Sequence, residues 1–443
     1  MQIYQYPSKE GEKKVNDTIE RGLGYTQTDY KNVEAYIKDV KERGDEALVA
    51  YTRQFDSKAI TRGNLKVSED EFSQAMTKVD TSFLKALDRA VAQLTQFHQQ
   101  QKEKSWIDTP RQGVMVGQLV RPVDAAGIYA PGAQGGKTPL VSSILMGGIP
   151  AKVAGVETLV LMTPPMADGT INPHMLAAAK KVGIDQVFKA GSAWAIAALA
   201  HGTKQVPRVD VIVGPGNIYV TLAKKIVSGT VGIDMIAGPS EILIIADKDA
   251  DPEFLAADLL SQAEHDVMAS AILITDSKKL ATATQQAVKK QLKHLSRGDI
   301  ATRSMEDYGA ALVVPDIQTA IDLANRLAPE HLELVVKDPF DYIDRIKNAG
   351  AIFIGLYTPE PVGDYIAGPN HVLPTAGTAR FSSALCVDNF TKKSSLINYS
   401  RAAFMAEADD IITLAETEGL DAHAHAIKVR RKAKGCDPAH QNH

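Results

Sequence analysis

Two titratable side chains, Glu330 and His331, stand next to each other in the apolar segment LAPEHLELVV (327–336). A carboxyl or imidazole group that is buried needs a partner or a shifted pKa. On a hydrated surface at a helix end such a pair would be ordinary. Inside an apolar segment it could act as an acid and a base. The segment alone leaves both interpretations open.

Other polar residues could bind a metal ion. The segment SQAEHD (261–266) closes a predicted helix, and Gln262 and His265 are three residues apart, so they share one helix face. A neutral amide is a weak metal ligand, and such a pair is more typical of an ordinary helix end. Further candidates are Asp364, in a long loop rich in proline and glycine, and Glu418 and His423, near the start of a late helix.

Composition excludes several classes of protein. A chain of 443 residues predicts two to four domains. A net charge of −4 argues against nucleic acid as the main partner. With no apolar run of membrane-spanning length and no signal segment, we expect a cytoplasmic protein without a membrane partner. The two cysteines, Cys386 and Cys436, are unpaired in sequence, which makes a disulfide framework or a thiolate zinc site improbable.

The order of predicted elements indicates the fold class. The chain before about residue 105 has the apolar spacing of amphipathic helices. From about residue 125, and again after 240, short apolar strands alternate with helices, as in parallel sheets. We predict an α/β protein with two doubly wound, incomplete Rossmann-like parallel-sheet domains plus helical N-terminal and C-terminal segments. The expected boundaries are an N-terminal arm (1–25), a first domain (26–124 with 241–385), a second domain (125–240) and a C-terminal helical segment (386–443).

Glycine loops follow two strands of the second domain. YAPGAQGGKTPL (129–140) ends like a phosphate-binding loop, but Pro131 occupies the place of the first glycine, which argues against nucleotide hydrolysis. VGPGN (213–217) is not the dinucleotide pattern G-x-G-x-x-G. Since ligands of parallel sheets bind at the carboxyl ends of strands, both loops still predict a ligand site there.

Five segments together resemble the histidinol dehydrogenase family, in the same order and with matching gaps from about residue 25 to about 430. They are VGIDMIAGPSEILIIAD, SQAEHD, LAPEHLEL, GDYIAGPNHVLPT and EGLDAHAHAIKVR. The resemblance implies a zinc-dependent enzyme that oxidises L-histidinol through the aldehyde to L-histidine, in two successive NAD-dependent hydride transfers at the end of histidine biosynthesis. By the same resemblance, zinc is bound by Gln262, His265, Asp364 and His423.

The resemblance also assigns two bases. It implies that His331 removes the alcohol proton and that Glu330 activates the water that attacks the aldehyde. It makes Ser240 and Glu418 substrate contacts, beside the four metal ligands and His331. Family members are homodimers whose C-terminal segment reaches into the partner's site, so Glu418 and His423 are expected to be supplied by the partner subunit.

The expected NAD contacts are Tyr129, Trp194 and Asn217, all in the 125–240 domain. Two features depart from the family pattern. The loop at 132–138 is about three residues longer, and GSAWAI (191–196) carries Trp194 where the family has glutamine. Stacking of Trp194 on the cofactor and packing of Trp194 in the interior are equally compatible with the sequence.

Three other functions fit some of the same residues. A related dehydrogenase could oxidise another alcohol, such as a sulfonated diol, but an anionic substrate calls for an extra Arg or Lys that the motifs lack. A zinc hydrolase could use Glu330 as the base for a metal-bound water, which would leave Tyr129 and the VGPGN turn unused. A zinc-stabilised scaffold without activity would leave His331 without a role.

Overall fold

The computed structural model describes residues 1–22, 24–132 and 138–432. The chain forms two compact units. One consists of Met1–Lys102 and Pro122–Phe390, and the other of residues 103–121 with 391–432. Among the described residues, no helix combines the length and the apolar character that crossing a membrane requires.

The first unit contains a five-stranded parallel sheet, with the strand order β7-β6-β4-β8-β9. Its strands are β4 (Ala125–Tyr129), β6 (Thr158–Thr163), β7 (Gln186–Lys189), β8 (Val211–Val213) and β9 (Gly232–Ile233), and a two-residue strand β5 (Thr138–Pro139) lies outside it. In chain order these five strands run 3-2-1-4-5. The order reverses between β4 and β8, which is where a doubly wound sheet binds its ligand.

Helices cover both faces of this sheet. They are α6 (Val141–Ala154), α7 (Pro173–Val182), α8 (Ser192–His201) and α9 (Ile218–Val227). Four earlier helices pack on them: α2 (Gln27–Arg43), α3 (Asp45–Phe55), α4 (Glu69–Thr77) and α5 (Thr81–Gln99). The boundaries expected from the sequence place residues 26–124 with 241–385, whereas α2 to α5 share their hydrophobic cores with the five-stranded sheet.

A six-stranded parallel sheet forms the rest of the first unit, with the order β1-β12-β11-β10-β13-β14. Its strands are β1 (Gln2–Gln5), β10 (Glu241–Ala246), β11 (Ser270–Thr275), β12 (Ala310–Val313), β13 (His331–Val335) and β14 (Ala351–Ile354). Without β1 the order is again 3-2-1-4-5, so both sheets have the predicted doubly wound design. The N-terminal residues expected to form an arm instead supply the edge strand β1.

Apolar cores lie on both faces of the six-stranded sheet. One face is covered by α10 (Pro252–Ala263), α11 (Lys278–Gln291) and α12 (Gly298–Asp307), the other by α1 (Lys9–Ile19) and α13 (Ile317–Leu327). A short helix, α14 (Glu360–Tyr365), follows β14. The four inner strands, β10 to β13, are buried throughout, which explains why β10, β11 and β12 are continuous apolar runs in the sequence.

The second unit is a small sheet with two helices. Its strands have the order β15-β3-β2 and are β2 (Trp106–Arg111), β3 (Val114–Pro122) and β15 (Thr391–Tyr399). They are accompanied by α15 (Arg401–Thr417) and α16 (Asp421–Lys432). We expected the region after 386 to be helical, but the strand β15 precedes its helices. It lies at the edge of the small sheet, and most of its residues are exposed.

Candidate active site

His331 opens β13 at the amino edge of the six-stranded sheet, beside Ile242 of β10. Its Nδ1 lies 2.8 Å from the main-chain oxygen of Glu241. Since a carbonyl oxygen can only accept, Nδ1 carries the proton and donates, and Nε2 keeps a free lone pair. Burial lowers the pKa of His331 to about 4, against the opposing charge of Asp364. The ring is therefore neutral at pH 7, and Nε2 can accept a proton.

The carboxylate of Glu330 accepts a hydrogen bond from the main chain of Glu241, and the carboxylate of Glu241 accepts one from the main chain of Glu330. Glu241 N–H donates to Glu330 Oε2 (2.8 Å), and Glu330 N–H donates to Glu241 Oε2 (3.3 Å). Glu241 also pairs with the buried guanidinium of Arg21, 2.6 Å away. Burial raises the pKa of Glu330 well above its usual range, and although the bond from Glu241 N–H opposes this shift, neighbouring carboxylates add to it. Once ionised, such a carboxylate is a strong base.

Gln262 lies in the last turn of α10 and is 1% exposed. Its Nε2 is 3.4 Å from His331 Nδ1, and its Oε1 is buried without a hydrogen-bond partner. The helix ends at Ala263, so His265 follows it in a turn. The main-chain N–H of His265 donates to the main-chain oxygen of Gln262 (3.1 Å). The turn, rather than the helix face assumed from the sequence, sets the direction of His265. Part of His265 stays exposed to solvent.

Asp364 belongs to α14, and its Oδ1 is 3.3 Å from His371 Nδ1. Burial would raise the pKa of Asp364, but the hydrogen bond and charge of His371 lower it to about 2. On the same helix, Glu360 is 2% exposed, and its Oε1 lies 3.8 Å from His331 Nε2. Burial, followed by the charge of Asp364, raises the pKa of Glu360 to about 9. Asp364 and Glu360 thus flank the free nitrogen of His331 with one ionised and one neutral carboxyl group.

The donor set around His331 suits a metal ion. One ligand atom from each of His331, Glu360 and Asp364 lies within 4.8 Å of the others. Gln262 Oε1 and Glu360 Oε1 are both buried oxygens without partners. A buried oxygen without a partner is costly unless something coordinates it, and carboxylate, amide and imidazole groups are zinc ligands. The residues fit the predicted metal, because Gln262 and Asp364 are two of its expected ligands, and Glu360 lies beside Asp364.

The remaining predicted substrate contacts fall in both units. Ser240 immediately precedes β10, where its main-chain oxygen accepts from Ser270 N–H (2.9 Å). This position makes it the neighbour of Glu241 at the same edge of the sheet. Glu418 and His423 belong to the second unit, around the junction of α15 and α16, and both are exposed. Their assignment to the metal site and substrate site stays a prediction.

Tyr129 ends β4 at the carboxyl edge of the five-stranded sheet and is 4% exposed. Its hydroxyl accepts from the N–H of Ser192 (3.0 Å), a residue in the left-handed conformation with φ 53°. Ser192 begins α8, whose N-cap Gly191 has no side chain to bond the free amides. The N-terminus of α8 has no cap from the side chain of its own N-cap residue, and it lies against Tyr129, whose strand β4 borders the strand-order reversal. A helix N-terminus in this place is suited to the pyrophosphate of a dinucleotide.

Trp194 is buried in an aromatic cluster and is 4% exposed. Its ring stacks on Phe55 (5.1 Å between centroids) and on Tyr51 (5.8 Å), and meets Tyr36 edge-on. Its Nε1 is buried without a partner. Interior packing is therefore one role of Trp194. Stacking on a cofactor ring stays a prediction, and it requires the indole to contact the cofactor in addition to these three aromatic side chains.

Asn217 is the N-cap of α9, where its Oδ1 accepts from Tyr219 N–H (3.1 Å) and Val220 N–H (3.2 Å). Its side-chain NH₂ is the group that remains for the predicted cofactor contact. The other glycine loop, at 132–138, was predicted to be unusually long. Residues 133–137 of that loop lie outside the described residues.

Three residues of this site were not predicted from the sequence: Glu241, Glu360 and His371. Glu241 is a charged residue at the start of an apolar strand, which was a detectable signal. Glu360, between two prolines, looked like part of a surface loop. His371 lies in the loop that follows α14, and its contact with Asp364 depends on how that loop folds back.

Comparison with known proteins agrees with this geometry. The sequence profile described as histidinol dehydrogenase matches residues 22–431. A histidinol dehydrogenase of Desulfotalea psychrophila is 54% identical over 400 residues, which are 90% of this chain and 92% of the relative. One of Carboxydothermus hydrogenoformans is 52% identical over 400 residues, covering 90% and 93%.

A solved structure gives the same result. The crystal structure of histidinol dehydrogenase from Elizabethkingia anophelis is 39% identical, covers 98% of both chains and superposes with a TM-score of 0.91. The fold expected from the sequence, two similar doubly wound sheets, is therefore confirmed. The chain belongs to the histidinol dehydrogenase family of NAD-dependent oxidoreductases.

Proposed function

We propose that the protein oxidises L-histidinol to L-histidine by way of L-histidinaldehyde, in two successive NAD-dependent hydride transfers that complete histidine biosynthesis. The observation that carries the proposal is the neutral His331, whose free Nε2 faces Glu360 and Asp364 beside the orphaned oxygen of Gln262. This arrangement offers a base and a cation site to one small polar substrate.

The substrate is held through the metal site in this proposal. Gln262, His265, Asp364 and His423 are the proposed zinc ligands, and zinc, when bound, acts as a Lewis acid that holds the imidazole and amine of the substrate. One carboxylate among three neutral ligands leaves the centre with a net positive charge. Ser240 and Glu418 make further contacts, and the carboxylate of Glu418 suits the substrate's ammonium group.

His331 serves the first oxidation. Its Nε2 takes the hydroxyl proton of the alcohol as hydride leaves the same carbon, which gives the aldehyde. When bound, NAD accepts the hydride at its nicotinamide ring. The main-chain oxygen of Glu241 fixes the tautomer, because it requires the proton to stay on Nδ1.

Glu330 serves the second oxidation. Its carboxylate removes a proton from the water that adds to the aldehyde, and the resulting hydrate loses a second hydride to form the carboxylic acid. The hydrogen bond from Glu241 N–H orients Oε2 of Glu330. Two bases are needed because protons leave from different oxygens in the two steps.

NAD is proposed to bind at the carboxyl edge of the five-stranded sheet, against Tyr129, Trp194 and Asn217. The uncapped start of α8 supports this position. Residue 234, just beyond β9, and Glu241 of β10 are joined by only a short linker. That linker connects the carboxyl edge of one sheet to the amino edge of the other, where the two bases, Glu330 and His331, lie.

A homodimer with shared active sites is part of the proposal, and Glu418 and His423 are then supplied by the partner subunit. The second unit supports this idea by itself. Its hydrophobic core is small, whereas Leu414 is 67% exposed and Ile397 is 69% exposed. Apolar side chains exposed to this extent in a small unit are typical of a surface that another chain covers.

The test is the absorbance of NADH formed from L-histidinol and NAD. We expect two NADH per histidinol, loss of turnover on dialysis against a chelator, and recovery with Zn²⁺. A sulfonated diol supplied at the same concentration is the matched control and should give no signal. A zinc-dependent hydrolase activity without NADH formation from histidinol would contradict the proposal. Faster oxidation of the diol than of histidinol would also contradict it.

A further inference from the structure

A buried ion pair joins α9 to the end of β9. Lys224 Nζ contacts the carboxylate of Asp234, and the two side chains are 3% and 0% exposed. Replacing a buried ion pair by apolar residues is often neutral for stability, because desolvation of the charges offsets their attraction. Stability alone therefore does not account for this pair, and its other contacts must be considered.

Both partners of the pair hold Gly214, the first glycine of the VGPGN loop. Gly214 N–H donates to Asp234 Oδ2 (2.8 Å), and Lys224 Nζ donates to the Gly214 oxygen (3.0 Å). Gly214 has φ +117°, and a Cβ there would lie 2.1 Å from the Tyr129 oxygen. The amide and the carbonyl of this residue are thus fixed in direction where the loop passes Tyr129.

The two hydrogen bonds to Gly214 fix the direction in which the chain runs to Asn217, three residues later. Asn217 is fixed at its far side by capping α9. Asp234 also reaches the linker between the sheets, because its Oδ1 accepts from Met235 N–H (2.6 Å). The pair therefore lies beneath the loop that carries a predicted cofactor contact and at the start of the linker toward Ser240.

We propose that Lys224 and Asp234 are positioning residues that hold the VGPGN loop in the geometry that binds NAD. The inference rests on the proposed function, since it takes this loop to be part of the cofactor site. Neither side chain touches the cofactor; both act through Gly214 and Asn217. Loss of the pair should weaken NAD binding and leave the contacts of L-histidinol unchanged.

The variants distinguish an effect on the position of the VGPGN loop from an effect on the stability of the protein. Asp234→Asn keeps an acceptor for Gly214 N–H but leaves Lys224 without a counter-charge, and Lys224→Met removes the donor to the Gly214 oxygen. The double variant removes both charges, so it should fold better than either single variant. Leu222→Ala, in the same helix and fully buried, is the matched control because it creates a cavity while leaving both partners of the ion pair in place.

The measurements are the dissociation constant of NAD by isothermal titration calorimetry, the Michaelis constants of both substrates, and the melting temperature. We expect the single variants and the double variant to raise the NAD dissociation constant by about fivefold or more, with the Michaelis constant of L-histidinol within about twofold of wild type. Leu222→Ala should lower the melting temperature and leave NAD binding within about twofold.

Wild-type NAD binding by the folded double variant would overturn the inference, as would an equal loss in Leu222→Ala. These outcomes leave the proposed function intact if the wild type binds NAD and oxidises L-histidinol. A wild-type protein that binds no NAD would overturn both the proposed function and the role of the pair.

Discussion

Asp56, which follows α3, gives a prediction whose size can be worked out from the structure. One carboxylate oxygen accepts from Gly191 N–H, while Oδ2 is buried without a partner. Burial raises the pKa of Asp56 from 3.8 to about 6. The native protein therefore binds this proton more tightly than the unfolded chain does. Its stability falls as pH rises from about 3.8 to about 6 and stays low above that range.

The expected magnitude follows from the shift of roughly two pKa units, at 1.36 kcal/mol per unit. Asp56→Asn removes the charge and should stabilise the protein by up to about 3 kcal/mol at pH 8. At pH 4.5, where most of the native side chain is already protonated, the gain should shrink to about 1 kcal/mol. Urea denaturation followed by circular dichroism at the two pH values measures both quantities.

Asp168→Asn is the matched control, because the N–H and hydroxyl of Thr170 lower the pKa of Asp168. That substitution should destabilise the protein at pH 8 instead of stabilising it. The reasoning would be refuted by a gain for Asp56→Asn that is the same at both pH values, or by a loss at pH 8. Because Asp56 also accepts from the N-cap residue of α8, a stabilised variant with weaker NAD binding would indicate that the buried carboxylate helps to shape the cofactor site.

The other predictions concern the two bases, the metal and the cofactor. His265→Asn should lose most of its zinc, measured by atomic emission, while circular dichroism stays native; full metal content with full turnover would exclude His265 as a ligand. In half-reactions followed by NADH absorbance, Glu330→Gln should oxidise the alcohol but stall at the aldehyde, whereas His331→Asn should slow the first hydride transfer. Equal losses in both steps would contradict the division of roles. Trp194→Gln should change the Michaelis constant of NAD severalfold, and NAD should quench the tryptophan fluorescence of the wild type but not that of this variant, in which Trp106 alone remains; equal quenching would leave Trp194 a packing residue only.

The fold was predictable because its signals are local. Runs such as EILIIA in β10 and SAILIT in β11 are apolar throughout, which identifies strands of a parallel sheet covered on both faces. The position of α2 to α5 could not be read from the sequence, since amphipathic faces show that a helix packs but not on which sheet. Likewise, β1 joined the sheet edge through pairing with β12, a contact across 300 residues that no local pattern encodes.

The site was predictable only in its chemistry. Glu330 and His331 stood out because charge interrupted an apolar segment, and the structure buries both. The sequence did not indicate that they would lie at the amino edge of their sheet, since parallel sheets usually bind ligands at the other edge. Glu360 escaped notice because its burial results from the return of α14 over β13, a tertiary arrangement rather than a sequence pattern.

Glu241 contacts its neighbours through both its main chain and its side chain, and these two kinds of contact tolerate mutation of Glu241 differently. Two of the contacts, the N–H that orients Glu330 and the oxygen that fixes the His331 tautomer, come from the main chain of Glu241. Any residue except proline at position 241 would keep the N–H, and every residue would keep the oxygen. Substitution of Glu241 during evolution would therefore remove the ion pair with Arg21 first, whereas the main-chain contacts that orient the two bases would persist as long as the strand does.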